Sequence, residues 1–284
     1  MDFNMTHPSD VIMHDSVLKK DLRIAIAQAE PSAGNVIANL DTVRRLSEDA
    51  SDKGAKLINF PEKFLTGYEP EFLKRAGNAA LIKPDDETVC SLSNLSKTLG
   101  LTIIVGAPTL IDRVRRISSV IAMPDGSVDF YHKRHLFHSE KEWFVAGNED
   151  KQINVSGWRI GLGICYDSGF PEHARRLAVD RCDLYLVSAL FSKKIGRQEL
   201  AVWMPARALD NTIFVAMSNY CGTTGGWETC GGSGVWSPMG KCIAQADENA
   251  ALLIVDLKPE AMYKARESEH MLDDYMAMYG KDVE

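Results

Sequence analysis

Short apolar runs alternate with stretches of helical periodicity twice along this chain, and that repeated β-α-β pattern points to a fold built on parallel strand pairs. The first copy begins with LRIAIAQ (Leu22 to Gln28), an Ile-rich run of strand length. Val36, Leu40, Val43, Leu46 and Ala50 then share one helical face, which Gly54 ends. KLINF (Lys56 to Phe60) predicts a second strand, stopped at Pro61 because proline has no N–H to give to a ladder. Another helical stretch carries Val89, Leu92, Leu95 and Leu99 up to Gly100, and LTIIVGA (Leu101 to Ala107) returns to strand. RISSVIAM and VDFYH flank the turn PDGS at Pro124 to Ser127 and predict a hairpin.

The second copy follows the same plan. RIGLGICYD (Arg159 to Asp167) and LYLVSA (Leu184 to Ala189) predict strands on either side of a helix from Pro171 to about Asp180. A helix over about Gln198 to Asn211 contains Pro205, where a kink is expected. IFVAMSN (Ile213 to Asn219) and short runs near Ser233 to Trp236, Lys241 to Gln245 and Ala251 to Asp256 supply further strands. A helix near Pro259 to Glu269 follows. No linker-like stretch divides the halves, so one domain over 21–270 is expected. Residues 1–20 are polar and aperiodic and read as a tail, with Met5 or Met13 as alternative starts. Residues 271–284, acidic and Met-rich, read as a C-terminal tail suited to an oligomer contact.

A chain of 284 residues can bury a sizeable core without disulfide or metal staples. Its formal net charge is −7 and it has no basic block, which argues against nucleic acid as a partner. No apolar run reaches the roughly 18 residues needed to span a bilayer, so no membrane partner is expected. The start lacks the pattern of a signal peptide, and the expected location is cytoplasmic. Six cysteines are too sparse for a disulfide scaffold and include no CxxC pair, so all six are expected to be reduced thiols.

Open α/β sheets place ligands beyond the carboxyl ends of their strands. Glu62 after LINFP and Cys165 in GICYD both stand there. Position alone describes an inert core thiol as well as a nucleophile. The segment DSGFPEH beyond Cys165 starts a helix whose N–H groups could hold an oxyanion. A thiol also needs a base or a cation to attack at neutral pH. His173 is the nearest downstream histidine, but beside Arg175 and Arg176 on a helix it is expected to be solvated. Glu62 is the alternative base, since desolvation at a strand end would raise its pKa towards the proton-transfer range. Lys133 lies among aromatic and aliphatic residues in YHKRHLF, where it could stabilise an oxyanion. His132, His135 and His138 recur every three residues, yet nothing completes a ligand set, so no metal is expected. Arg207 is expected to pair with a core carboxylate, and Cys221, Cys230 and Cys242 to be structural thiols.

PE-x-F-x-x-GY, Y-x-K-x-HLF and ICYD-x-x-FPE occur in that order around Glu62, Lys133 and Cys165. Together they resemble the signatures of the nitrilase (carbon–nitrogen hydrolase) superfamily. The resemblance covers about residues 22–260, including the later ARALDNTIFVAMSN and GGSGVWSPMG. It implies an α/β fold, a four-layer α-β-β-α sandwich with two central mixed sheets, carrying a Glu-Lys-Cys triad and no cofactor. Glu62 would take the proton of Cys165, while Lys133 and the backbone N–H of Tyr166 hold the oxyanion. Family members often carry a second glutamate shortly after the HLF run. Glu140 and Glu142 compete for that place, and the spacing of seven residues to Gly147 favours Glu140. Ala146 stands where the family commonly has proline. Tyr68, Phe137, Trp143, Tyr166 and Phe191 fall near the triad motifs and are candidates to line a pocket.

True nitrilases of the superfamily tend to follow the cysteine with Trp-Glu. This chain has Tyr166-Asp167, as in the amidase and carbamoylase branches. The expected activity is hydrolysis of a small linear amide to carboxylate and ammonia through a cysteine thioester. An N-carbamoyl amide hydrolase is the first alternative and a nitrilase a weaker one. A catalytically silent binding protein and a Cys-His protease are rivals of other classes. The family also implies a homodimer or larger homo-oligomer.

Overall fold

The structure, a computed structural model, describes residues 19–280. The expected tail over 1–20 lies outside it except for Lys19 and Lys20. Those two are tied to the body: Lys19 Nζ meets Asp183 at 2.5 Å, and the Lys20 carbonyl accepts the Trp158 indole N–H at 2.8 Å.

The first half contains strands β1 (Leu22–Gln28), β2 (Leu57–Asn59), β3 (Thr102–Ile111), β4 (Val114–Ala122) and β5 (Val128–His132). Its helices are α1 (Val36–Asp52), α2 (Pro70–Ala76) and α3 (Glu87–Leu99). The second half adds β6 (Gln152–Val155), β7 (Trp158–Ile164), α4 (Pro171–Val179), β8 (Leu184–Ser188), α5 (Ile195–Asn211) and β9 (Phe214–Ser218). A small hairpin, β10 (Thr223–Thr224) with β11 (Trp227–Glu228), precedes β12 (Gly234–Trp236), β13 (Cys242–Gln245) and β14 (Ala251–Leu257). Helices α6 (Pro259–Ser268) and α7 (Met271–Tyr279) follow.

The long strands form two six-stranded sheets, ordered β14-β1-β2-β3-β4-β5 and β13-β12-β9-β8-β7-β6. Each contains the expected parallel core, β1-β2-β3 in one and β7-β8-β9 in the other, flanked by antiparallel strands. Residue alternation sorts the layers. Ile24 and Ile26 of β1 point into the space between the sheets, with Ile104 and Ile121 from their own sheet and Trp158, Ile160, Leu162 and Phe214 from the other. Ala25 and Ala27 face outward, where they pack with Val43, Leu46 and Ala50 of α1 and Val89 and Leu92 of α3. Tyr185, Val187 and Val215 do the same against Leu177 of α4 and Leu200 and Met204 of α5. The result is the α-β-β-α sandwich.

Polar side chains at the strand ends fix one sheet on the other. Asn59, the last residue of β2, gives its amide N–H to the Val187 carbonyl at 3.0 Å and accepts from Ser188 Oγ at 3.0 Å. This contact joins the carboxyl ends of the two parallel cores, beyond which Glu62 and Cys165 emerge. Because β5 is two antiparallel steps from β3, it runs in the same direction as β2. Lys133, immediately after β5, therefore leaves its sheet at the same end as Glu62.

Three differences from the sequence reading have local causes. Helix α2 and edge strand β6 are too short to show a period, α2 burying only Leu73. Helix α5 begins three residues before the expected Gln198 and runs through Pro205. Most of the expected C-terminal tail is helix α7, whose Leu272 is buried against the α4 and α5 layer with Tyr275 and Met276 beside it.

Gly106 of β3 lets the loop that carries Glu62 approach the sheet closely. A Cβ there would lie 2.3 Å from the Lys63 nitrogen and 2.4 Å from the Pro61 carbonyl, both backbone atoms that cannot swing away. Gly106→Ala should therefore lower stability by about 1–3 kcal/mol, as overpacking does, and displace the loop that carries Glu62. A lower urea midpoint is the expected result, and an unchanged midpoint would show that the loop can give way at Gly106.

Candidate active site

Glu62 follows Pro61 just beyond β2 and is buried, with 1% of its surface exposed. The hydroxyl of Tyr220 donates to its backbone carbonyl, and Lys63 turns the chain with a left-handed φ of 51°. Glu62 Oε1 accepts from Lys133 Nζ at 2.7 Å. Its other oxygen, Oε2, is buried and has no hydrogen-bond partner among the described residues. Burial lifts the Glu62 carboxyl above its ordinary value, with Lys133 opposing.

The backbone holds Lys133 on both sides. Its N–H donates to the Ile117 carbonyl at 2.8 Å and its carbonyl accepts from Gly147 N–H at 2.8 Å. The side chain is fully buried and bridges Glu62 and Glu140, the latter at 2.8 Å through Oε2. Burial disfavours its charge, but Glu140 and Glu62 outweigh that and hold its pKa well above an ordinary lysine's. Glu140 sits on a single 3-10 turn, His138–Glu142. Its Oε2 also accepts from Phe137 N–H at 2.8 Å, and its Oε1 accepts from the Tyr68 hydroxyl at 2.7 Å. Despite burial, Lys133 and Lys63 pull its pKa down to about 2.

Cys165 is the first residue past β7 and is half-buried. Its φ of 46° is left-handed, uncommon for a side chain with a Cβ. It opens a 3-10 turn, Cys165–Gly169, whose first N–H groups lack partners within the turn. The thiol donates to the Leu190 carbonyl at 3.4 Å. Burial pushes its pKa up, Glu62 adds to this and Lys133 opposes it.

Asp167 fixes the turn. One of its oxygens accepts from Ile164 N–H at 3.0 Å and the Tyr131 hydroxyl at 2.7 Å. The other accepts from the backbone N–H of His135 and meets its Nδ1, both at 2.8 Å. The turn that Cys165 opens is thereby joined to the segment just past Lys133. His173 and hydrogen bonds from His135 and Tyr131 overcome burial and hold Asp167 at a pKa of about 2.

The structure thus gathers Glu62, Lys133, Glu140 and Tyr68 into one hydrogen-bonded cluster, with Cys165 in its electrostatic field. Glu142 is exposed at the rim of a recess beside the cluster, and Trp143 lines that recess. Phe137 and Tyr166 pack edge to face, 5.4 Å between ring centroids. Phe191 instead belongs to the outer helical layer, 5.9 Å from Trp203.

Two expectations fail. His173 is fully buried rather than solvated, its ring nitrogens held by Tyr131 at 2.9 Å and Tyr185 at 3.0 Å. The amphipathic face that seemed to expose it is covered by β5 and β8. Arg207 pairs with no core carboxylate among the described residues, its nearest carboxylate neighbour being the partly exposed Asp210 at 3.9 Å; it donates to the Ser168 and Gly169 carbonyls, at 2.9 and 3.0 Å, and so braces the turn after Cys165. The three histidines diverge: His132 meets Ser118, His135 Asp167, and His138 the ring of Phe137. Of the later thiols, Cys221 and Cys230 are buried but Cys242 is exposed on edge strand β13. Sequence reasoning missed Lys63, although it sits in NFPEKFLTGY in an apolar setting like that of Lys133. It used Asp167, the acid in ICYD, only as a mark of the branch and gave it no structural part.

The family model described as Carbon-nitrogen hydrolase matches residues 23–267. A Pseudomonas protegens protein named "Hydrolase in pqqF 5'region" is 32% identical over 260 residues, covering 90% of this chain and 89% of its own. An omega-amidase of Saccharomyces cerevisiae is 26% identical over 268 residues, covering 89% and 92%. A structure of a mutant amidase from Nesterenkonia sp. AN1, of the nitrilase superfamily, superposes with a TM-score of 0.80 at 28% identity, covering 92% of this chain and 96% of that one. Another mutant of that amidase is described as showing covalent addition of the acetamide moiety of fluoroacetamide at the active site cysteine.

Asp167 accepts from both loops, so replacing one oxygen by an amide leaves buried donors facing a donor. Asp167→Asn should destabilise the fold by about 2–3 kcal/mol in denaturant titrations. Wild-type stability in that variant would show that the four-donor network does not hold the turn.

Proposed function

The chain belongs to the carbon–nitrogen hydrolase family, and from that premise we propose that it hydrolyses a small linear amide to carboxylate and ammonia through a thioester on Cys165. The observation that carries this reading is the unpartnered Oε2 of Glu62, a buried acceptor on a carboxylate whose other oxygen is fixed by Lys133. A carboxyl group raised by burial suits a general base, and a thiol with a raised pKa needs one.

In the first step Glu62 Oε2 takes the proton of Cys165 as the sulfur attacks the amide carbon. Lys133 has three N–H donors and uses two on Glu62 and Glu140, leaving one for the developing oxyanion. The Tyr166 N–H in the first part of the 3-10 turn supplies a second donor. The proton on Glu62 passes to the nitrogen, the C–N bond breaks, and ammonia leaves the acyl group on sulfur. Glu62 then takes a proton from water as its oxygen attacks the thioester, and the proton returns to the departing sulfur. Glu140 stays ionised throughout, which keeps Lys133 charged and in place. The fluoroacetamide adduct described for the Nesterenkonia amidase supports a nucleophilic role for the matching cysteine.

Ammonia release across small amides, carbamoyl amino acids and nitriles tests the substrate class, and carbon dioxide released with ammonia would instead indicate a carbamoylase. Cys165→Ala should abolish turnover and the acyl adduct seen by intact mass. Lys133→Met, with retained packing verified by near-ultraviolet circular dichroism, should slow kcat by about a hundred- to a thousandfold, the cost of losing an oxyanion donor. Near-wild-type rates in either variant would overturn the assignment.

The base acts only when deprotonated, so kcat/KM should fall as pH drops through the Glu62 pKa. That acid limb should lie above the ordinary glutamate value of 4.5. A limb at or below that value would remove Glu62 from the role of base.

A further inference from the structure

The proposed chemistry uses one lysine, and the cluster holds two. Lys63 is 2% exposed. Glu140 stands between the two ammoniums: its Oε2 takes Lys133 at 2.8 Å, and its Oε1 lies 3.6 Å from Lys63 Nζ. The Lys63 ammonium rests over the Tyr68 ring, 3.3 Å from the centroid, and the hydroxyl of that ring donates to Glu140 Oε1 at 2.7 Å. A cation against the face of a phenol polarises it towards the ring and strengthens its O–H as a donor. Lys63 therefore acts on Glu140 twice, directly and through Tyr68. Its position is fixed: its carbonyl accepts from Thr66 N–H at 3.1 Å, its nitrogen is packed on Gly106, and its φ is left-handed.

The charges of Glu62, Glu140, Lys63 and Lys133 sum to zero when all four are ionised. Without Lys63, two buried carboxylates would share Lys133 alone, and the more weakly held of the two would take a proton. Glu140 is the better held, with Lys133, the Tyr68 hydroxyl and Phe137 N–H as donors. The Glu62 side chain has Lys133 only, and its Oε2 has no partner among the described residues. Glu62 is thus the group that would be protonated, and a protonated Glu62 cannot act as a base. Burial raises its pKa and Glu140 adds to this, while Lys133 and Lys63 work the other way.

We propose that Lys63 is a positioning residue for the base: by balancing Glu140 it leaves Lys133 to Glu62 and keeps Glu62 Oε2 open to a proton in mildly acid solution. This rests on Glu62 being the base, as read above, and deepens that reading. The charged and titratable groups around Lys63 are Glu62 from its own loop, Tyr68 beyond it, Glu140 and Glu142 from the 3-10 turn, Lys74 of α2, Lys133 after β5 and Cys165 after β7. Lys74 and Glu142 are exposed and of opposite sign, so the buried members decide the balance. Burial disfavours the charge on Lys63, and Glu140 and Glu62 support it.

The rate at which iodoacetamide alkylates Cys165, followed against pH by peptide mass, reads the base without any choice of substrate. The sulfur bonds to the methylene carbon, iodide leaves with the C–I electron pair, and the thiol proton passes to Glu62. Exposed Cys90 is the internal reference. In the wild type the Cys165 rate should fall towards acid pH along a limb that Glu62→Gln abolishes. Lys63→Met should move that limb upwards, so that the rate near about pH 5 drops about tenfold while the rate near about pH 8 stays within about twofold, as loss of a nearby opposite charge requires. Lys63→Arg should keep the wild-type limb. Should Lys63→Met lose its near-ultraviolet circular dichroism, Lys63→Gln makes the same comparison. An unmoved limb in the neutral variant overturns the proposal. So does an equal loss at every pH, or a limb displaced as far in Lys63→Arg, either of which would make Lys63 a packing element; a wild-type limb that needs Glu62 would still leave the amide-hydrolase reading standing. A wild-type rate with no acid limb, or one unchanged in Glu62→Gln, removes Glu62 as the base and the proposal with it.

Discussion

The site depends on one buried ammonium held between two buried carboxylates. Removing ions from water costs several kcal/mol each, and their attraction returns this only when the geometry is good and the remaining lone pairs are occupied. Glu62 comes from the loop after β2, and Lys133 and Glu140 from the connection between β5 and β6, so both must be fixed before the cluster can form. Backbone contacts provide that: Gly106 admits the Glu62 loop to β3, Ile117 and Gly147 clamp Lys133, and Phe137 N–H caps Glu140. Among the described residues, only one polar atom of the three side chains, Glu62 Oε2, is left without a partner. That exception marks where a proton can be received.

The turn that carries Cys165, the proposed nucleophile, is built in another way. Cys165 is held by backbone strain and by what lies behind it, with Asp167 joining the turn to β7 and to the Lys133 segment. Arg207 takes the two carbonyls that end the turn and connects it to α5. The two sheets could slide relative to one another on apolar packing alone, which is non-directional. The Asn59 contacts to Val187 and Ser188, and the Asp167 contacts to Tyr131 and His135, give the interface a defined register. Glu62 and Lys133 on one sheet thus face Cys165 on the other.

Strand and helix periods made most of this fold legible, while Glu62, Lys133 and Cys165 stood out through the motifs around them. The residues that escaped were those whose meaning lies in contacts distant in sequence. His173 looked solvated because its own helix carries two arginines; its environment is set by Tyr131 and Tyr185 from other elements. Arg207 was expected to seek a carboxylate and found two carbonyls 38 and 39 positions away. Glu140 and Glu142 differ by two residues on a 3-10 turn, and only the turn's docking decides which points inward. Short elements such as β6 and α2 complete less than two turns or carry too few alternations to show a period.

The raised pKa of Cys165 has a chemical consequence that separates this site from cysteine–histidine centres. Where an imidazolium stabilises a thiolate, the nucleophile exists before substrate arrives and is open to oxidation. Here a carboxylate faces the thiol, and two negative charges in a buried space disfavour each other. Under the proposed mechanism the thiol is neutral before substrate arrives, and the thiolate forms only as its charge moves onto the substrate oxygen beside Lys133. Lys133 cannot stabilise a free thiolate fully, since both carboxylates already claim it. Its remaining donor is of greatest use when a new anion appears within reach, which is the condition for stabilising a transition state more than the ground state.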